Sequence, residues 1–271
     1  MTSRAQDLLQ ANDLEGALDA LQAQVKADPA DPKLRIFLFQ LLCVTGDWQR
    51  AVTQLKLCAT MDPSAVPMAQ TYREAIRCEV FREAVFAGER APLVFGQPNE
   101  WVALLTEALK ELAQGRAAEA AGLRERAFDM AATVSGTADD TPFDWIADAD
   151  MRLGPVLEVI VNGRYFWMPF DTVRSLRIDA PSDLRDVVWL GAEITLRNGG
   201  EVVALIPTRY AGTAARGDAA AKLSRRTEWA DAGAGTFVGI GQRLLATDAG
   251  DIPVMDLRSL QMGPAAQPGE G

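Results

Sequence analysis

The chain has 271 residues, 48% of them hydrophobic and 24% charged, with a net charge of −10 and no histidine. This composition supports a buried core and excludes global disorder. The missing imidazole excludes Ser-His-Asp and Cys-His nucleophile systems, histidine general bases and His-based zinc sites.

The opening "MTSRAQDLLQANDLEGALDAL" has helical periodicity and early acids where a signal peptide would run apolar. No apolar stretch approaches the ~20 residues that span a bilayer. The expectation is a chain that stays in the cytoplasm, away from membranes. Residues 1–150 carry 14 basic and 23 acidic side chains, residues 151–271 carry 13 and 14. An acidic first half repels phosphate backbones, so nucleic acid is not expected as a partner, and a basic or amphipathic protein segment suits it better.

The first half reads helical and repeats. Asp13 and Asp47, Ala17 and Ala51, Leu21 and Leu55, and Pro29 and Pro63 are each 34 residues apart, the tetratricopeptide period. A small alanine lets antiparallel helices approach, a leucine one turn on fills the groove, and proline stops the second helix. The resemblance is good at Ala51, Leu55, Cys58 and Pro63, with Leu38 and Leu42 on the preceding helix; Arg35 stands where the repeat family has tryptophan. Gly115 and Ala120 start a related segment roughly two periods on, after one helix and an irregular loop near Pro92–Pro98. Cys43, Cys58 and Cys78 lie in apolar helical patterns without CxxC spacing, so buried thiols are expected rather than disulfides or zinc.

The second half switches to period two. Asn162-Gly163, Asn198-Gly199-Gly200 and the stretch Asp248–Asp251 punctuate three hairpins. The segment 211–235 is too rich in Ala and Gly for a central strand and is expected as a mobile excursion. The fold class is therefore α+β: a tetratricopeptide-like helical array over 1–133, an inter-domain joint over 134–153, a small, mostly antiparallel β domain over 154–263, and a disordered tail over 264–271.

The joint holds Asp144, Asp148 and Asp150 beside Trp145. An EF-hand starting at Asp148 has Asp150 at position three but Arg152, Leu153 and Val159 at positions five, six and twelve, so the calcium pattern fails. A carboxylate-dependent hydrolase using Asp148, Asp150 or Glu158 is the alternative reading; it requires a deep cleft where these groups converge with raised pKa values. The architectural reading docks Trp145 and Ile146 between modules and pairs Arg152 with the local acids. "GAGTFVG" (233–239) has dinucleotide-like glycines at the wrong spacing and no βαβ unit, and no GxxxxGK[ST] occurs, so no cofactor is expected. Trp167 and Trp189 belong to core or inter-domain packing. Trp101, opening a helix, and Arg209-Tyr210, ending a strand, are candidate exposed contacts for a partner, together with Arg73 and Arg77. The plain alternative for Arg209 is a structural ion pair.

The order of "FDWIADADMRLGPVLEVIVNGRYFWMPF", "DLRDVVWLGAEITLRNGGEVVALIPTRY" and "GIGQRLLATDAGDIPVMDLRSL" resembles the ImpE/SciE (TagJ) family of type VI secretion accessory proteins. Trp145, Asp148, Asp150, Arg152 and Gly154 match its pattern. The resemblance implies a non-catalytic adaptor without metal or cofactor. It implies as partners the N-terminal helical segment of the small contractile-sheath subunit and the AAA+ ATPase that recycles the sheath.

Overall fold

Asp13 and Asp47, one repeat apart, both cap helices: each carboxylate accepts the backbone N–H three residues on, from Gly16 and Arg50. The computed structural model describes residues 4–96 and 99–266. Helices α1 (Arg4–Gln10), α2 (Leu14–Ala27), α3 (Pro32–Thr45) and α4 (Trp48–Met61) form two antiparallel pairs. Asn12 and Gly46, again one repeat apart, make the turns at φ 61° and 82°, a left-handed conformation that Asn and Gly tolerate best. Ala17, Ala51, Leu21 and Leu55 are all buried; each leucine contributes about 1.5–3 kcal/mol by leaving water. The repeat read from spacing is thus present residue by residue.

A long helix follows, α5 (Val66–Phe86), then a two-residue strand β1 (Leu93–Val94) and a third helical pair, α6 (Glu100–Ala113) and α7 (Ala117–Met130), turning at Gly115. The expected irregular loop therefore contributes a strand; Pro98, at its end, lies outside the described residues.

The strands are β2 (Thr133–Ala138), β3 (Thr141–Phe143), β4 (Ile146–Asp148), β5 (Val156–Val161), β6 (Arg164–Pro169), β7 (Val173–Ile178), β8 (Trp189–Leu196) and β9 (Glu201–Pro207). After them come α8 (Thr213–Arg216), α9 (Ala219–Lys222), β10 (Thr227–Asp231), β11 (Phe237–Gly241), β12 (Leu244–Thr247), β13 (Gly250–Pro253) and β14 (Ser259–Ala266). All three expected hairpins form, as β5–β6, β8–β9 and β12–β13. Asn162 and Gly163 take φ 49° and 68°, as a type I′ turn requires.

The main sheet has nine strands in the order β1-β6-β5-β9-β8-β7-β14-β2-β3, antiparallel except for β1 beside β6. Three expected boundaries move, and two of the shifts enlarge this sheet. Residues 134–153 are not a free joint: they supply most of β2 and all of β3 and β4, the last pairing with β12. Three-residue strands show too little alternation to be read from sequence. Segment 211–235 is ordered as α8, α9, β10 and the turn to β11, with Ala221 and Leu223 buried. The tail joins the sheet as far as Ala266, which pairs with Thr133; residues 267–271 lie outside the described residues.

The molecule is layered. One face of the sheet, with Ile160, Tyr165, Trp167 and Trp189, shares a core with the helices. The other, with Leu157, Val159, Ile194 and Ile206, shares a second core with β4, β12 and β13. Covered on both faces, β5 is buried along its whole length.

Candidate functional site

Two arginines and two carboxylates meet where α5, β5, β12 and β4 converge. Glu158 stands on the helix-facing side of β5. It accepts Nε and Nη2 of Arg82 at 2.6 and 2.7 Å, the Tyr165 hydroxyl, and Nη2 of Arg243. Arg243 donates its other terminal nitrogen to Asp148 and its Nε to the Pro207 carbonyl at 2.9 Å. Arg82 also donates to Glu79 at 3.3 Å and to the Arg209 carbonyl at 2.9 Å, and Glu79 accepts the Trp189 indole at 3.0 Å. Beside this set, Asp150 is bound by Arg152 through Nε and Nη2, as expected. Asp150 and Glu158 are 0% exposed and Asp148 3%.

Burial alone would raise the Glu158 carboxyl, yet Arg82 and Arg243 outweigh it and hold it well below the usual carboxylate range. Asp148 goes the other way: burial, opposed by Arg243 and reinforced by the Asp150 charge, pushes it up to about 7. The asymmetry follows from the bonds, because Glu158 has two guanidiniums and Asp148 shares one. A raised Asp148 is the part of the hydrolase expectation that is met, but its cause is enclosure. The carboxylates are bonded by arginines and buried. Among the described residues no group of three His, Cys, Asp or Glu is placed to hold a metal.

The expected surface contacts fare differently. Trp101 is 6% exposed and packs in the helical core. Arg209 is buried and caps α3, donating to the carbonyls of Val44 and Cys43 at 2.7 and 3.3 Å and of Lys222 at 2.8 Å; guanidinium suits a helix C-terminus. Burial lowers its pKa to about 10. Tyr210 is buried, its hydroxyl bridging the N–H and carbonyl of Leu244. These three are therefore internal: Trp101 is covered by the helical core, and Arg209 and Tyr210 are held between the end of α3 and the segment at Leu244. Trp145, expected to dock between modules, is 40% exposed instead, while its neighbour Ile146 is in the core. Arg73 and Arg77 are exposed on α5; Arg77 pairs with Glu74 and donates to the Gly163 carbonyl at 3.1 Å. Cys43, Cys58 and Cys78 are buried free thiols.

Open grooves on the described surface include two larger ones. One, of about 640 Å³, runs between α1, α3 and the loop Ser182–Leu184, with Leu34, Ile36, Phe37 and Leu184 as apolar lining and Gln10, Lys33 and Asp183 at its rim. The other, of about 460 Å³, lies between α5 and the sheet over Ile160, Val203 and Leu205, beside Glu74.

The tetratricopeptide repeat profile matches residues 8–70, which hold the end of α1, all of α2–α4 and the start of α5. The profile described as ImpE protein matches residues 140–261. A Pseudomonas aeruginosa protein described as "Type VI secretion system accessory component TagJ" is 55% identical over 260 residues, spanning 96% of this chain and 91% of its own. The chain belongs to the ImpE family. The chain is similar in structure to protein VPA1032 from Vibrio parahaemolyticus, known from its crystal structure, with a TM-score of 0.88 at 26% identity, over 96% of this chain and 97% of that one. The ImpE match contains Asp148, Asp150, Glu158, Arg209 and Arg243, whereas Glu79 and Arg82 lie on α5, outside both matched segments. Sequence reasoning missed those two and Arg243. The available signal was a charged residue on an apolar stripe: Glu79 and Arg82 fall on the buried face of α5 with Ile76 and Val85.

Proposed function

We propose that this chain is a non-catalytic accessory component of a bacterial type VI secretion system. It acts in the cytoplasm by binding the N-terminal helical segment of the small contractile-sheath subunit, and so influences sheath assembly or recycling by the AAA+ ATPase. The accessory role of the Pseudomonas relative supports the system, and no described helix is long and apolar enough to cross a membrane. The observation that carries the binding mode is the open groove between α1 and α3. Its apolar lining and polar rim match one face of an amphipathic helix. The chain's net charge of −10 favours a segment with Lys or Arg on its polar face. Arg73 and Arg77 are exposed to contact acidic positions flanking that segment.

Calorimetric titration with a peptide of the sheath segment tests this. Saturable binding is expected, weakened by salt and by Phe37→Asp in the groove. Absence of binding at high micromolar peptide would sink the reading.

A further inference from the structure

The two-stranded sheet of β10 and β11 has one edge bonded and one edge open. Its register sets Glu228 against Ile240 and Ala230 against Val238. In phase with those pairs, the Gln242 N–H donates to the Arg226 carbonyl at 2.9 Å and the Ala232 N–H to the Thr236 carbonyl at 2.8 Å. The even-numbered residues of β10 therefore bond β11, and Thr227, Trp229 and Asp231 turn their N–H and carbonyl groups outward. The far edge of β11 is taken. There the Gly239 N–H donates to Asp150 at 2.9 Å, Gly241 to the Thr213 hydroxyl at 2.8 Å and Phe237 to the Met151 sulfur at 3.3 Å. The outward groups of β10 bond nothing among the described residues.

Other strand edges are blunted in the ways that folds commonly use. β1 is two residues long, β3 has Pro142 at its middle, β13 ends in Pro253, and β4 spends the Asp148 N–H on the Gly154 carbonyl at 2.6 Å. β10 has five residues and no proline. It is also held in place: the Trp229 ring lies 5.6 Å from that of Tyr210, and a side chain at Gly233 would meet Ala117 of α7. Trp229 and Phe237 share one face of the pair and are 41% and 49% exposed.

The side chains say which strand fits. β10 reads Thr-Glu-Trp-Ala-Asp, two acids and no base. Arg226, just before it, is shared between Asp218 and Glu228, while the Asp231 carboxylate accepts the Gly233 N–H at 2.8 Å and pairs with no cation among the described residues. A second copy of the chain would bring the same acids, and another net charge of −10, against this edge. A strand with an apolar residue opposite Trp229 and cations opposite Glu228 and Asp231 meets the aromatic face and the negative excess together.

We propose that the open edge of β10 docks an extended, basic and apolar segment of a protein partner, which adds to it as a third strand. The edge shares no residue with the lining of the groove between α1 and α3, so its failure leaves the helix-binding reading standing.

The test is titration of the full chain with acetyl-Lys-Val-Ile-Arg-Thr-amide, read by amide hydrogen exchange corrected for intrinsic rates. Its antiparallel register puts Ile opposite Trp229, Arg opposite Glu228 and Lys opposite Asp231. In the free chain the amides of Thr227, Trp229 and Asp231 should exchange at least about tenfold faster than those of Glu228 and Ala230, and saturating peptide should slow them by about tenfold. N-methylation at the peptide's Ile, whose N–H faces β10, should weaken binding by about tenfold, whereas N-methylation at its Val, whose N–H faces away, leaves it unchanged. Glu228→Lys should weaken binding by about fivefold, and Glu201→Lys on β9 should not. Slow exchange of the three outward amides in the free, dilute chain, no binding at millimolar peptide, or equal loss from both N-methyl peptides would each overturn the proposal. Protection of those amides by raised chain concentration alone, with sedimentation showing a dimer, would overturn the assigned partner in favour of a second copy.

Discussion

The interface among α2, α3 and α4 and the interface between α5 and the sheet bury comparable side chains by different means. The first is mainly apolar: Ala17, Leu21, Ala51 and Leu55 are buried in one hydrophobic cluster. The second holds Arg82, Glu158 and Arg243 in bonds spanning 76 and 85 residues of sequence. An apolar interface loses stability in proportion to the surface and volume removed. A buried charge layer behaves otherwise, because taking away one member strands the rest in a medium that solvates them poorly. The helical array thus owes its shape to size and spacing, and its attachment to the sheet to charge balance.

The largest effect should come from Arg243→Met, which leaves Asp148 without its guanidinium and Glu158 with Arg82 alone. A loss of about 3–5 kcal/mol in chemical denaturation is expected, and adding Asp148→Leu should restore part of it. Full stability in Arg243→Met would break the distinction between the two interfaces. On the apolar side, Leu55→Ala should cost about 3 kcal/mol, with no second substitution among ionisable groups able to recover it.

A pH profile sharpens the comparison at a smaller scale. The folded Asp148 titrates near 7 against an ordinary 3.8, so between those values the folded state binds more protons than the unfolded one. The stability it contributes is complete below pH 3.8 and lost as pH rises through about 7. Glu158, held low by its two arginines, has the opposite sign: its contribution is present above its ordinary 4.5 and lost as pH falls through its depressed folded value. Asp148→Asn should therefore flatten the decline between about pH 4 and 7, by at most about 1.4 kcal/mol per pH unit. An unchanged slope would show that Asp148 is ionised throughout that range.

Turns and repeats were legible because their chemistry is local. Asn162-Gly163 specifies a left-handed pair wherever it occurs between alternating strands, and Asp13 and Asp47 cap the residues immediately after them. The Arg152–Asp150 pair was legible for the same reason, being two residues apart. Arg209 was not: nothing in "LIPTRY" reveals that its guanidinium ends up on the carbonyls of α3, 165 residues earlier. Trp101 looked exposed because it follows a proline-containing loop, and only the packing of α6 against the other helices covers it.

The sequence by itself determined the helical period, the hairpins, the ImpE motifs and the exclusion of imidazole chemistry, all properties of residues within a few turns of one another. Tertiary structure alone decided that β2, β3 and β14 complete one sheet, that β4 joins β12 in another, and that Glu158, Asp148 and Arg243 neutralise each other between the layers. The reason is physical: capping and turn preference act over a few ångströms of chain, whereas desolvation and ion pairing depend on which distant segments the fold brings into contact.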